Sequence, residues 1–443
     1  MVTASDTIEP LSDREHRNQL TRAVIASTIG TTIEWYDFFL YSTVTGLVFA
    51  KLYFPGTDSF IATLNVFAIY AVGFVARPVG AAIFGHYGDR IGRKSTLIAT
   101  LMLMGIATFL VAFVPSYERI GIWGAIILTI LRFIQGVGVG GEWGGSVLLS
   151  MEWAKTNKHR GFVASWPQFG VPAGLFLANL AVIVCSRWTG DEFIVWGWRI
   201  PFFISIALVA VGLWIRLGIL ETPTFRRLVA EDRIEKAPVI EVLRLQPWQI
   251  VQSAFVRMAE QAPFYIFTAF VFTYAVGTLK LERDFVLEAV LSASLVSIVC
   301  IPLFGYVSDR IGRKNMYRIG AISVTLYGFA YFYLLDTKSP TLMFLAIMLS
   351  IVPHAMMYGP QAALIAELFT GRLRYTGASL GYQMASIIAG GPAPLIAAWL
   401  LNEFGTGYAI AGFIAVCGII SLIALTFIKD HTGLDIAMEY DDA

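Results

Sequence analysis

Charge is scarce in this sequence. Only 14% of its 443 residues are Asp, Glu, Lys or Arg, against about 25% in soluble domains, while 57% are hydrophobic. That balance excludes an ordinary water-soluble domain. Cysteine is rarer still: Cys185, Cys300 and Cys417 all fall in apolar stretches and read as packing residues, not as disulfides or metal ligands. There is no metal-ligand cluster, no nucleophile motif and no ATP-binding motif, so an enzyme, a metal site and a cofactor are not expected. The formal net charge of +1 gives no footprint for nucleic acid. Residues 1–20 are polar, carrying Asp6, Glu9, Asp13, Arg14, Glu15 and Arg17, so they read as a short disordered tail and not as a cleavable signal peptide.

Long apolar runs are what the chain has in abundance. About twelve approach or exceed the roughly 20 residues needed to cross a bilayer: 23–50, 59–84, 96–116, 121–151, 161–185, 200–220, 248–278, 286–308, 317–336, 340–368, 376–402 and 407–428. In lipid each must be a helix, because its backbone hydrogen bonds have to close within the segment. The expected fold is an all-α membrane protein. Of the 32 Lys and Arg, only Lys51, Arg119, Arg187, Arg199, Lys280, Arg283 and Lys338 lie in loops on one side, and Arg77, Arg132 and Arg257 lie within spans. The rest share the other side with both termini, which the positive-inside rule makes the cytoplasm of a cell-membrane protein.

"GHYGDRIGRK" at 85–94 returns as "GYVSDRIGRK" at 305–314, each between the second and third span of its half. The repeat marks a duplicated six-helix unit. The expected domains are 1–220, a six-helix bundle with its tail; 221–249, a charged cytoplasmic linker; and 250–443, a second, pseudo-symmetric six-helix bundle with a short acidic tail. With this loop stand "EWYDFFLY" (34–41), "FVARPVGAAIFGHYGDRIGRK" (74–94), "RFIQGVGVGGEWGGSVLLSMEWA" (132–154) and "AELFTGRLRYTGASLGYQMASIIAGG" (366–391). Together they resemble the major facilitator superfamily, in its metabolite:proton symporter branch, which includes carriers of shikimate, α-ketoglutarate, citrate and proline/betaine. The chain departs from that pattern at Ala366 and Thr370–Gly371, where prolines would be expected around "ELF".

Charges inside spans are the candidate site. A charged side chain at a helix centre costs about 2.5–3.5 kcal/mol on insertion scales, so each needs a partner or a task. Helical spacing puts Gly30, Glu34, Asp37 and Tyr41 on one face of the first span, and Gly73, Arg77 and Gly80 on one face of the second. Arg132, Gln135 and Glu142 share a side of the fourth. Arg257, Glu260, Gln261, Phe264 and Thr268 cluster on the seventh with Tyr265 at the edge, and His354, Tyr358 and Gln361 form a stripe on the tenth. At 1.5 Å per residue, Glu34, Arg77, Glu142, Glu260 and Tyr358 come to one level, about 18–21 Å from the cytoplasmic side, with Arg132 further out. Tyr41, Arg77, Arg132, Gln135, Arg257, Gln261, Tyr265, Tyr358 and Gln361, with Gln168 and Gln383, are the candidate substrate ligands. Glu34, Asp37, Glu142 and Glu260 are the candidate proton carriers, since Glu34 and Asp37, one turn apart, repel when both are ionised.

In the repeated loops, Asp89 and Asp309 suit the N-terminus of a neighbouring helix. Arg90, Arg93, Arg310 and Arg313 suit pairing with Glu152 and Glu367 at the inner ends of the fourth and tenth spans. The resemblance implies that these residues form a conformational latch. "GVGVGG" (136–141) imitates a dinucleotide loop, but no strand precedes it, and Gly136, Gly140 and Gly144 at four-residue spacing read as close helix packing. Gly390, Gly391, Pro392 and Pro394 are expected to break the eleventh helix. Trp35, Tyr36, Trp143 and Trp166 read as packing or interface residues before substrate platforms, and His354 as a hydrogen-bonded core residue before a proton carrier.

These features lead to a proton-coupled secondary active transporter importing a small organic carboxylate. Its partners are the substrate, protons and the lipid bilayer. A symporter of a zwitterion such as betaine or proline is the alternative, with arginine on the carboxylate and an aromatic face on the cation, and a proton-coupled exporter stands behind it.

Overall fold

The computed structural model describes residues 12–44, 48–56, 59–154 and 159–433, and among them the secondary structure is entirely helical. The expectations for the tail before Ser12 and the acidic tail beyond Gly433 fall outside the described residues. Ten helices there are long and apolar enough to cross a membrane. The first and seventh expected spans miss that criterion because they carry the charges and the breaks. Helix α1 (Asp13–Val44) is continuous and about 48 Å long at 1.5 Å per residue, but Glu34 and Asp37 depress its hydropathy. The seventh is interrupted.

The chain forms two compact units, Met1–Trp153 with Gly170–Pro238, and Ala154–Phe169 with Val239–Ala443. The first contains α1, α2 (Ser59–Ile91), α3 (Arg93–Val111), α4 (Trp123–Met151), the greater part of α5 (Arg160–Thr189) and α6 (Ile200–Leu217). Glycine lets α2 and α4 touch backbone to backbone. A Cβ on Gly136 would meet the Gly73 carbonyl, and one on Gly140 the Arg77 carbonyl. The "GVGVGG" run is therefore a packing face. Ile33, Leu101 and Val209 join α1, α3 and α6 in one apolar cluster. Large apolar side chains such as Trp188, Trp214 and Leu217 stand exposed, as a lipid-facing surface requires.

The second unit contains α7 (Pro247–Val256), α8 (Met258–Tyr265), α9 (Arg283–Ile311), α10 (Arg313–Asp336), α11 (Pro340–Leu349), α12 (Ile351–Ala366), α13 (Arg374–Ala385), α14 (Pro392–Phe404) and α15 (Gly407–Phe427). Pro392 follows a π-helical turn at Ser386–Gly390, where the glycine–proline run leads one to expect a break. The break between α7 and α8 is the more informative. Pro263 has no N–H for the Ala259 carbonyl. One turn earlier the Ser421 hydroxyl of α15 enters the ladder, accepting from Ala259 N–H at 2.8 Å and donating to the Phe255 carbonyl at 2.9 Å. The Tyr317 hydroxyl serves the freed Val256 carbonyl at 2.9 Å. Backbone opened inside a membrane must find such partners. Here the Ser421 and Tyr317 hydroxyls supply part of them, and Arg257 sits in the gap.

Each unit also closes its repeated loop in one way. The glycine of DRIGRK, Gly92 or Gly312, takes φ of 108° or 92°, in the region that favours glycine. The next helix starts at once, and its first N–H groups meet side chains from just beyond the unit's last span, an acid in both units and, for Arg313 N–H, the Thr432 hydroxyl at 3.2 Å. Arg93 and Lys94 N–H donate to Glu221 at 3.2 Å each, and Lys314 N–H donates to Asp430 at 3.3 Å. The lysine of the phrase returns the favour: Lys94 Nζ donates to the Leu217 carbonyl at 3.0 Å, and Lys314 Nζ to the Ile428 carbonyl at 2.6 Å. Opposite ends of two helix dipoles are thereby capped together.

Candidate functional site

In the first unit the buried charges divide into satisfied and unsatisfied. Glu142 is satisfied. Thr100 and Ser146 hydroxyls donate to it at 2.8 Å each, and both terminal nitrogens of Arg216 on α6 reach its two oxygens. Arg216 also donates to the Leu97 carbonyl and lies so close to Gly30 that a Cβ there would strike its guanidinium. The sequence reading missed Arg216 by counting it with the basic residues of the cytoplasmic side, although the expected span 200–220 contains it and the structure turns it inward. Asp37 accepts from Ser205 at 2.5 Å. Arg132 donates to Gln135 at 3.3 Å, Gln135 donates to Thr108 at 2.8 Å, and the Arg132 guanidinium lies 4.4–4.7 Å from the rings of Phe38, Tyr41 and Tyr70.

Arg77 is different. It is 1% exposed, with its guanidinium 4.4–5.5 Å from the ring centres of Phe74, Phe38 and Trp35, and its Nε and Nη2 have no hydrogen-bond partner. Glu34 Oε2 and the Tyr41 hydroxyl are likewise buried without a partner. Glu34 feels the Arg77 charge, yet no ion pair joins them among the described residues. Trp35 and Phe38 thus cushion an arginine, and Tyr36 is tied down through its hydroxyl to the Pro201 carbonyl at 2.8 Å.

The second unit gathers Arg257, Glu260, Gln361, Tyr358 and His354 around the α7–α8 break. Arg257 donates to Glu260 at 3.0 Å, to Gln361 at 3.3 Å and to the Tyr382 carbonyl, with its guanidinium 3.3 Å above the Tyr382 ring. Gln361 Nε2 donates to Glu260 at 3.1 Å, and His354 Nε2 lies 3.1 Å from the other Glu260 oxygen. The Tyr358 and Tyr382 hydroxyls are 3.3 Å apart. Gln261 donates to Ser386 at 3.0 Å and Ser386 to Gln383 at 3.1 Å, so those two glutamines meet through a serine. Gln168 donates to the Tyr358 carbonyl at 3.4 Å, and Tyr265 is buried beside Phe264.

At the loop ends, one expectation needs correcting. Arg90 and Arg310 do not reach the acids: they are exposed, Arg90 against His86 at 3.2 Å and Arg310 against Tyr306. One residue past the aspartate, each has turned about 100° away from the packed face. Arg93 and Arg313, beyond the glycine, point inward instead. Arg93 lies 3.3 Å from Asp89 and 3.6 Å from Glu152. Arg313 lies 3.3 Å from Asp309 and 2.7 Å from Glu367, which also holds Arg160 at 2.7 Å. Asp309 accepts from Gly161 and Phe162 N–H, at 2.8 and 2.9 Å, at the N-terminus of α5. Burial raises the Glu221 and Glu367 carboxyls above their ordinary value, with nearby arginines pulling the other way. Arg160, Glu221 and Asp430 went unread because nothing local in the sequence marks their distant partners.

Ten apolar helices among the described residues mark a multi-pass membrane protein, and the family it matches makes it a transporter, not an enzyme. The Major Facilitator Superfamily model matches residues 27–391 and 289–435, and the chain belongs to that family. It is 38% identical over 432 residues to the inner membrane metabolite transport protein YhjE of Escherichia coli K12, covering 96% of this chain and 98% of the relative. It is 40% identical over 417 residues to the shikimate transporter of the same organism, covering 92% and 94%. A solved structure of the proton:xylose symporter XylE aligns with a TM-score of 0.78 at 17% identity, over 95% of this chain and 98% of that one. That likeness concerns the fold.

Proposed function

We propose that the protein imports a small organic carboxylate together with protons, by alternating access, with both termini and both DRIGRK loops in the cytoplasm. One observation carries the reading: Arg77 is a buried cation cushioned by three rings, and among the described residues its Nε and Nη2 find no acceptor. An unpaired charge at that depth is costly, and a carboxylate that meets it with two parallel hydrogen bonds offsets the cost. The name of the shikimate-transporting relative supports the substrate class, and the skew of Lys and Arg supports the orientation. Glu34 and Asp37 are the first candidates for the coupling proton. Asp37 has a hydroxyl donor, whereas Glu34 Oε2 has none, so Glu34 gains more from protonation when a substrate anion arrives beside it.

The test is uptake into proteoliposomes of radiolabelled shikimate, α-ketoglutarate, citrate, glycine betaine and proline under an inward pH gradient. A carboxylate should accumulate, and a protonophore should abolish the accumulation. Uptake of glycine betaine or proline alone, or export only, would overturn the reading. Replacing Arg77 with Ala should cut carboxylate uptake about ten- to a hundredfold, the worth of one charge-assisted contact of about 1.5–3 kcal/mol. Unchanged uptake would remove Arg77 from the site.

A further inference from the structure

His354 was read above as a hydrogen-bonded core residue before a proton carrier, and its surroundings support more than the first of these roles. It is 2% exposed. Its ring lies between two others, 4.8 Å from Phe264 at 31° and 4.9 Å from Tyr358 at 29°. Nε2 faces Glu260 Oε1 at 3.1 Å, while Nδ1 is buried with no hydrogen-bond partner. An orphaned buried acceptor costs about 1–3 kcal/mol, which a packing residue has no reason to carry.

Glu260 decides the tautomer. Arg257 and Gln361 both donate to its other oxygen, so it stands as an acceptor neutralised by Arg257. Nε2 must then carry hydrogen, and Nδ1 presents a bare lone pair. From the geometry we propose that His354 Nδ1 is the proton-binding atom of the second unit, with Glu260 its fixed counter-ion and not itself the carrier. The proton comes from the more acidic aqueous side and adds to the lone pair, and no other bond breaks. The imidazolium so formed is sandwiched by two ring faces that favour a cation and held by a carboxylate along Nε2–H. Imidazole also changes charge between about pH 5 and 8, where arginine and tyrosine do not.

The other ionisable groups around it leave this role open. Helix α8 supplies Glu260, with Arg257 behind it and Tyr265 nearby. Tyr317 comes from α10, Tyr358 from α12 itself and Tyr382 from α13. Helix α9 has no charged side chain between Glu288 and Asp309, and α11 has none at all. Among the described residues around it, only Arg257 opposes a second positive charge, and Glu260 bonds to both.

The proposal rests on the proton-coupled reading for its transport consequence, but its first test does not. In full-length protein in lipid nanodiscs with 15N-labelled histidine, the signal assigned by its loss in His354→Gln should pass from the Nε2–H neutral form to imidazolium between about pH 8 and 5. A His354 that keeps one form across that range would overturn the proposal, whatever the panel of substrates shows. In proteoliposomes with the carboxylate the wild type accumulates, His354→Gln and His354→Asn should keep counterflow exchange and lose accumulation, the internal concentration rising no higher than the external one. Accumulation at the wild-type level in both variants would equally overturn it. A wild type that accumulates nothing from the panel sinks the carboxylate reading, and the titration still judges His354.

Discussion

At the scale of single residues, the rarity of charge made the candidate residues visible and their pairing invisible. Glu34, Asp37, Arg77, Arg132, Glu142, Arg257 and Glu260 stand out because lipid-embedded helices do not tolerate idle charges. Which of them pair could not be read, because pairing joins helices by contacts that no local spacing encodes. Arg216 is the instructive case. It ends an apolar run, where an arginine ordinarily marks the water boundary, and only the packed helices show it turned inward onto Glu142. That pair sets a stability prediction. Arg216→Met strands a buried carboxylate and should cost about 3–5 kcal/mol, whereas Arg216→Met with Glu142→Leu should recover much of it. Thermal unfolding of the detergent-solubilised variants measures both, and a double variant no more stable than the single one would show that the pair has another function in the fold.

At the scale of elements, helices came through the sequence well and their interruptions poorly. The Gly390–Gly391–Pro392 run announces its own break. The gap between α7 and α8 depends on Ser421, one serine among many, placed 162 positions beyond Ala259, and no reading of the seventh span alone could supply it. Contact between α2 and α4 lies at the legible end, since glycines four apart state a close approach before any partner is known. Gly140→Val should therefore separate the two helices, because its side chain would meet the Arg77 backbone. Uptake should fall with the yield of folded protein in the membrane. Gly277→Val should not do this, as nothing lies within 4 Å of that position. Equal losses in both variants would mean that the glycine seam carries no special closeness.

At the scale of the whole molecule, the duplication was legible from one phrase, but its purpose was read only in part. The aspartate was expected at a helix N-terminus, and Asp309 stands at that of α5; the glycine turn and the lysine seam appear only in the structure. If the two aspartates hold the cytoplasmic side shut, Asp309→Asn and Asp89→Asn should loosen it. A partly buried helix-terminal charge is worth up to about 2 kcal/mol, enough to shift a balanced equilibrium several-fold. In a variant whose Cys185, Cys300 and Cys417 are replaced, a cysteine at Ser146 or Ala385 should then react faster with an impermeant thiol reagent applied from the cytoplasmic side. Unchanged labelling in both would leave the phrase as a mark of topology. The seam has a consequence for synthesis as well. Everything that closes the first one, from Gly92 to Leu217 and Glu221, has been made by residue 221, so that half can lock its own end while the ribosome is still translating. The second seam waits for Ile428 and Asp430. Until Asp309 emerges, the Gly161 and Phe162 N–H groups lack their acceptor too. A nascent chain therefore matures unevenly: the first seam can close before the second half is made, and the second cannot close until Asp430 has emerged.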